Sequence, residues 1–375
     1  MLRALGLYSC EKKHPTEALI HRQAVALVDR LINDSMPGGD GHAPAVDPFS
    51  AIERAVAGIL SELCFGDGHD ELMSQITQAL NEMHAVLPTV QWVDVMPWMA
   101  PLLRGPLSQY ADGLRRVHQL TTDKIEAVVS AGVPDQPACI VHALHHACPV
   151  NDDDGSQRAR IMATIQDIIG AGTETVASFI HWAILYAAKY PSAVQERVRD
   201  EIRRTIGQTA APVAADRARM PYTDACMWEI VRHGCIAPLS IPHATMGDAV
   251  IAGCSIPAGT VVIANFYSTG WDPEVWGDEA STFRPERFLT PDGSQVDRQV
   301  INQFMCFGAG RRRCRGAQLS TLVMFLSFVV LMQRCEFSAP PGHELPTDGN
   351  FLFTNQAKRY HVLVQPANHD DDDVI

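Results

Sequence analysis

Ten consecutive residues concentrate the reactive groups of this chain. Phe307 to Gly316 reads F-G-A-G-R-R-R-C-R-G, which sets one cysteine, Cys314, in a turn with Gly308, Gly310 and Gly316. Arg311, Arg312, Arg313 and Arg315 crowd round it. A cysteine acts as a ligand or nucleophile through its thiolate, an anion that nearby positive charge and hydrogen-bond donors stabilise. Glycines let the backbone come close to such a sulfur with its N–H groups exposed. The apolar run from Leu319 to Met332 predicts a helix starting just after the cysteine, and a helix N-terminus favours negative charge. The chemistry this arrangement suits is a thiolate holding a metal such as iron. The competing reading is a buried structural cysteine in a basic turn.

A second informative segment, Gly170-Ala171-Gly172-Thr173-Glu174-Thr175, lies inside the longest helical pattern of the chain. A glycine in a helix interior costs about 1 kcal/mol against alanine, so two of them call for a reason. Ala171 and Thr175 are four apart and share a helix face, with Asp167 and Ser178 near the same stripe. A flat ligand could press on that face while the Thr175 hydroxyl bonds to whatever the ligand carries. A tight helix–helix crossing is the other use of such glycines.

Four further groups can be weighed. Glu229 and Arg232 stand three apart, within reach of an ion pair on one helical face; on a surface such a pair contributes under about 1 kcal/mol. Phe283 to Phe288, F-R-P-E-R-F, adds Arg287 in a proline-broken loop. Cys139, His142, His145, His146 and Cys148 are close enough in sequence to suggest zinc. Their spacing matches no common finger, and the stretch reads as a loop. A lone His243 reads by itself as a satisfied polar residue.

The elements that must carry these residues are mostly helices. Thr16 to Ile32, Ile52 to Cys64, Glu71 to Leu87, Leu107 to Ser130 and Arg158 to Tyr190 have helical spacing, and Pro191 can open a further helix at its first position. Gly38 to Pro48 reads as a turn region, Pro97, Pro101 and Pro106 break a Trp-containing segment, Gly132 to Pro137 is a break, and Asp152 to Asp154 form an acidic loop. Strands are predicted at Ala249 to Ile256 and Thr260 to Phe266 around a turn at Pro257-Ala258-Gly259. A second predicted pair is Phe351 to Thr354 with Tyr360 to Gln365. The fold class expected is mainly α with small β-sheets. With 375 residues the chain is large for one domain. Its 46% hydrophobic and 19% charged content excludes a disordered protein. A net charge of −13 argues against nucleic acid. Ten cysteines without a C-x-x-C pair point to a reducing compartment. Leu322 to Met332 falls short of the ~20 residues of a membrane span and reads as a buried helix. The start turns polar at Glu11, Lys12 and Lys13, and Asp370 to Asp373 reads as a solvated tail.

The Phe307–Gly316 segment resembles the heme-ligand loop of the cytochrome P450 superfamily: Phe, two residues, Gly, one, Arg, one, Cys, one, Gly. Gly170 to Thr175 is similar to the family's oxygen-binding groove, and Glu229, Arg232 and Arg287 match its buried structural triad. Ile241 to Thr245 and Arg284 to Gly293 look most like the animal microsomal group, with aryl-hydrocarbon hydroxylases and steroid 17-hydroxylases the nearest likenesses. The resemblance implies a cytochrome P450 fold lacking its N-terminal part, with residues 1–375 as one partial heme-thiolate monooxygenase domain. Residue 1 would fall just after the helix whose Trp and Arg hold a heme propionate.

By the same resemblance the cofactor is heme b, with Cys314 as axial ligand to the iron. Phe307, Gly308 and Gly316 would shape the loop, and Arg312 and His243 would bond to the propionates. Ala171, with Gly172, would leave room over the ring, and Thr175 and Glu174 would be the catalytic pair that delivers protons. Leu239, Ser240, Ile241, Leu352 and Phe353 are matched by position to pocket walls. The reaction implied is insertion of one oxygen atom from O2 into a hydrophobic small molecule, an aromatic xenobiotic or a steroid. Electrons would come from NADPH through a flavoprotein reductase docked on the arginines round Cys314, with cytochrome b5 a further partner. The location implied is the cytosolic face of the endoplasmic reticulum membrane. The alternatives are a heme-thiolate isomerase or dehydratase, whose members tend to lack the groove threonine, a heme-free binding protein, and a zinc-site interaction protein.

Overall fold

The structure, a computed structural model, describes residues 15–36, 44–68, 70–147, 156–351 and 354–367. The helices are α1 (Pro15–Asp34), α2 (Phe49–Phe65), α3 (Asp70–Val90), α4 (Trp92–Val95), α5 (Arg104–Ser130), α6 (Ile140–Ala147) and α7 (Ser156–Lys189). There follow α8 (Arg197–Ile206), α9 (Pro221–Gly234), α10 (Phe266–Trp271), α11 (Pro273–Trp276), α12 (Arg298–Phe304) and α13 (Ala317–Arg334). The strands are β1 (His243–Ala244), β2 (Ala249–Ile251), β3 (Cys254–Ile256), β4 (Val261–Val262), β5 (Cys335–Ser338), β6 (Gly349–Phe351), β7 (Asn355–Ala357) and β8 (Leu363–Pro366). The chain is mainly α with small antiparallel sheets, as its sequence predicts.

Two helices form the centre. From Val176 to Ala188 every residue of α7 is buried, and so is every residue of α13 from Thr321 to Gln333. A helix apolar all round must be surrounded by protein or lipid. Here α13 packs against α1, α7 and α8, and α7 packs against α2 and α9. Both helices are long and apolar enough to cross a membrane, yet about two thirds or more of each apolar window is buried by other elements. They are core helices. Phe179 meets Phe328 edge-on at 6.4 Å where the two cross. Gln195, buried, donates to the carbonyls of Ala187 and Phe337 and accepts from the Phe337 N–H, which ties the end of α7 to β5.

The sheets depart from the expected pairings. The tight turn between β2 and β3 falls at Ala252-Gly253, whose φ values of 48° and 82° suit a two-residue hairpin turn. Pro257, with no N–H to donate, ends that ladder instead of centring it. The chain then loops back, and β4 pairs with β1, setting His243 opposite Val262. Phe266 begins a helix and is not the end of a strand. At the C-terminus β6 pairs with β7, and β8 pairs with β5 directly after α13. Cys335 and Phe337 of β5 point into the core while Glu336 and Ser338 face out, so a strand from a distant part of the chain supplies the partner that β8 needs. The segment from Ile140 to Ala147, read as a loop, is helical because Ile140, Val141, Ala143 and Leu144 bury there. The acidic stretch 152–154 and the 370–373 tail lie outside the described residues.

Gly234 closes α9, and a β-carbon there would meet the Trp182 ring at 2.9–3.2 Å. That ring is pinned by its N–H bond to the Asn355 carbonyl (3.0 Å). Alanine would gain up to about 1 kcal/mol of helix propensity but would overpack a rigid site at ~1–3 kcal/mol. Gly234→Ala is therefore expected to lower the urea unfolding midpoint; an unchanged or higher midpoint would show that the ring yields.

Candidate functional site

The cysteine loop is held by its backbone. Asp297 caps α12 by accepting from the Gln299 and Val300 N–H groups. Beyond α12, Met305, Gly308 and Gly310 take positive φ values of 44°, 69° and 65°. Gly308 and Gly310 are thus glycines for conformational reasons. The Gly308 N–H bonds to the Met305 carbonyl (2.7 Å) and the Cys314 N–H to the Phe307 carbonyl (2.9 Å), closing the loop on itself. Phe307 anchors it by meeting Trp228 of α9 edge-on at 6.2 Å. Gly316 has an ordinary φ of −84° and stands just before α13. A β-carbon there would make only ordinary contacts, 3.6 Å from Ser320 Oγ and 3.9 Å from Cys314 Sγ.

Exposure separates Cys314 from most other thiols. Among the described cysteines only Cys254 and Cys314 are exposed. Burial pushes Cys235, Cys306 and Cys335 up to about 12, and it pushes Cys64 and Cys226 higher still. Those thiols stay protonated at neutral pH and make poor ligands. The Cys314 sulfur faces outward, with the exposed guanidinium groups of Arg311, Arg312 and Arg313 beside it in the chain. Neither Arg312 nor His243 forms an ion pair with a described residue, and both are exposed.

Behind the loop lies a buried charge cluster. Glu229 Oε2 accepts from Arg232 Nε at 2.7 Å and Glu229 Oε1 from Arg287 Nε at 3.0 Å; Glu229 and Arg232 are fully buried. The Arg284 N–H donates to Glu229 Oε1 at 2.8 Å. Arg232 also donates to the carbonyls of Gly270 and Ala280, and Arg287 to those of Glu279 and Thr282. Two charged side chains thereby fasten α9 to α10 and to the turn around Pro285. The surface ion pair that the Glu229–Arg232 spacing alone allows is, in the fold, a core element.

The groove helix α7 has two faces with different tasks. Gly170 and Ala171 are exposed, and nothing lies within 4 Å of a β-carbon placed on Gly170. Gly172 behaves otherwise: its β-carbon would touch Leu60 at 3.2–3.3 Å, so here the small residue serves the crossing with α2 and not a ligand. The Thr175 hydroxyl donates back to the Ala171 carbonyl at 2.8 Å. Glu174, its neighbour, points away from that face. Its carboxylate accepts from Gln356 Nε2 (2.8 Å) and the Thr354 hydroxyl, and lies 3.1 Å from His84 Nδ1. Ser178, assigned to the Thr175 stripe, is also turned inward and buried. His84, Thr354 and Gln356 carry no sequence signal; they are found only through what they touch.

Leu239, Ser240 and Ile241 precede β1, with Leu239 and Ile241 half or more exposed. Leu352 and Phe353 lie outside the described residues. Among the described residues the zinc set does not assemble: Cys139 and His142 are buried, and His146 Nε2 meets the Pro134 carbonyl at 2.8 Å. Cys148 lies outside the described residues, among which no three His, Cys, Asp or Glu side chains come together as ligands.

The fold is thus a helical one that presents an exposed thiol on a glycine-turned loop, braced by a buried carboxylate–guanidinium cluster. The family model for Cytochrome P450 matches residues 2–364, and the chain belongs to that family. Cytochrome P450 2U1 of Bos taurus is 32% identical over 337 residues, which are 86% of this chain and 60% of that protein. Cytochrome P450 1A2 of Homo sapiens is 30% identical over 333 residues, 87% of this chain and 63% of that protein. Cytochrome P450 1A1 of Microgadus tomcod is 29% identical over 358 residues, 93% and 69%. The chain therefore spans about three fifths of the length of the first two relatives.

The family implies heme, and the residues present fit it. The donor set is one exposed thiol on a loop turned by Gly308 and Gly310. Exposed Arg312 and His243, without protein counter-ions among the described residues, suit carboxylates, and the exposed Leu239, Ile241 and Ile263 offer apolar surface.

Burial alone would raise the Glu229 carboxyl, but hydrogen bonds from Arg232 and His233 outweigh it and hold the pKa at about 2. The folded value is below the unfolded ~4.3. Its stabilisation is then fully present above the unfolded pKa and lost as pH falls through the folded one. Unfolding free energy is expected to fall between about pH 5 and pH 2. Glu229→Gln should flatten that decline and cost about 3–5 kcal/mol at neutral pH by stranding buried guanidinium charge. Urea titrations across this range check both.

Proposed function

We propose that residues 1–375 belong to one heme-binding domain of a heme-thiolate monooxygenase. The reaction is insertion of one oxygen atom from O2 into a hydrophobic small molecule, an aromatic xenobiotic or a steroid. The electron source is NADPH through a flavoprotein reductase, with cytochrome b5 as a second partner. The place is the cytosolic face of the endoplasmic reticulum membrane, as expected of the animal microsomal group. The observation that carries this reading is the exposed Cys314 thiol, set on a glycine-turned loop when most other thiols are buried and held protonated.

When bound, the heme would supply the oxidation chemistry, tuned by the sulfur that holds its iron. The work of the polypeptide is positioning and proton control. Cys314 would hold the heme iron through its sulfur, and Arg312 and His243 would hold the heme carboxylates. Phe307, Gly308 and Gly316 would keep the loop in shape. Ala171, with a single methyl group, would leave room beside the Thr175 hydroxyl, which would hold a proton at the groove. Glu174, fixed one residue earlier, would keep that proton replenished. Leu239, Ser240 and Ile241, with Leu352 and Phe353, would line the apolar side and limit water. The arginine cluster, on a chain of net charge −13, makes a local basic face suited to an acidic reductase.

The test is the difference spectrum of the ferrous protein with and without carbon monoxide. A red-shifted thiolate band, lost in Cys314→Ala, is expected; absence of any heme signal overturns the reading and leaves a binding protein. A second expectation concerns Thr175. Thr175→Ala should lower product formed per NADPH consumed, while Thr175→Ser, which keeps the hydroxyl, should restore it. Turnover without NADPH would favour the isomerase or dehydratase chemistry instead.

A further inference from the structure

On the core side of α7, away from Thr175, lies a small cavity with about 20 Å3 open to the centre of a water molecule, its largely apolar wall (Phe49, Leu80, Ala177) interrupted by a few polar groups. Its walls come from four elements. Glu53 belongs to α2, Thr77 and His84 to α3, Glu174 and Ser178 to α7, and Gln356 to β7. One water needs roughly 10–15 Å3 measured this way, together with two to four polar partners.

Those partners are present. Ser178 is 4% exposed, and its buried hydroxyl has no partner among the described residues; the buried Thr77 hydroxyl is in the same position. A buried hydroxyl without a partner costs about 1–3 kcal/mol, so two on one cavity wall call for a shared bridging group. The Glu174 carboxylate is engaged on both oxygens, by Gln356 and Thr354 on one and His84 on the other. Glu53 lines the same cavity and accepts from Asn81 at 3.3 Å. Two carboxylates lining one small space repel each other, and a shared proton relieves that repulsion. The described groups acting on Glu53 from beyond the cavity are Arg359 and Asp47, of opposite sign.

We propose that this cavity is a water site behind the groove, in which Glu53, the water, Glu174 and His84 hold one exchangeable proton. Glu53 and His84 are then positioning residues: they set the charge and orientation of Glu174, whose chain neighbour is Thr175. Burial raises the Glu53 carboxyl, and the Glu174 charge raises it further against the opposing Asn81 bond and Arg359, in keeping with Glu53 as the member that carries the proton. In its service to oxidation the site rests on the monooxygenase reading, but its water and its proton are properties of the polypeptide alone.

Both are tested on the full chain without heme. Thr77→Val and Ser178→Ala remove the hydroxyls at almost constant shape. If a water bridges them, the urea midpoint falls; if the cavity is dry, removing uncompensated hydroxyls raises it, and the water is overturned. For the proton, infrared spectra at neutral pH are expected to show the C=O stretch of a neutral carboxylic acid, shifted in D2O and lost in Glu53→Gln. Absence of a Glu53-dependent band overturns the shared proton. With the band present, His84→Phe should shift it, because His84 holds the far side of the same network; an unmoved band removes His84 from the site. A carboxylic band without a carbon monoxide signature would sink the monooxygenase reading and leave this site standing. The reverse pair of results would do the opposite.

Discussion

The carboxylate of Glu229 has no exposed surface, and a charge in that place is tolerated only when it is fully paired. Arg232 and Arg287 pair it, and what remains of their hydrogen-bonding capacity reaches the carbonyls of Gly270, Ala280, Glu279 and Thr282. One ionic contact thus determines where α9, α10 and the turn at Pro285 sit. Trp228, which holds Phe307 at the foot of the cysteine loop, is on the same α9 helix one residue before Glu229. The position of Cys314 is therefore inherited from a buried charge well away from it in sequence.

The distribution of thiols follows from the same economy of burial. A thiol in an apolar interior keeps its proton, and Cys226, Cys235, Cys306 and Cys335 are all in that state. Cys314 is exposed, on the loop that Gly308 and Gly310 turn with φ near +65° to +69° before α13 begins. Left-handed residues in a short loop cost conformational entropy, and here they separate one sulfur from the core.

Helix α7 serves two environments at once. Its outward stripe carries Gly170, Ala171 and Thr175, while the residues between, Glu174, Ala177 and Ser178, face α2 and α3. Successive residues on a helix are about 100° apart, so adjacent Glu174 and Thr175 belong to different surroundings. The helix thus separates the exposed Ala171–Thr175 stripe from the cavity that Glu174 lines.

Much of the site was legible in the residues themselves. Helical spacing located α1, α2, α3, α5, α7 and α13 closely, because apolar periodicity is a local property that survives in the fold. The F-G-A-G-R-R-R-C-R-G loop stands out by its own residue types, whereas the buried set of Glu229, Arg232 and Arg287 is implied only by the family resemblance, since the Glu229–Arg232 spacing alone allows a surface pair. What only the tertiary structure decided is pairing across distance. The partner of β8 is β5, Gly172 is small because Leu60 presses on it, and Glu174 answers to His84, Thr354 and Gln356. Sequence encodes what a residue can do within a turn or two of its own backbone. Which distant side chain it meets depends on packing, and packing is a property of the whole chain at once.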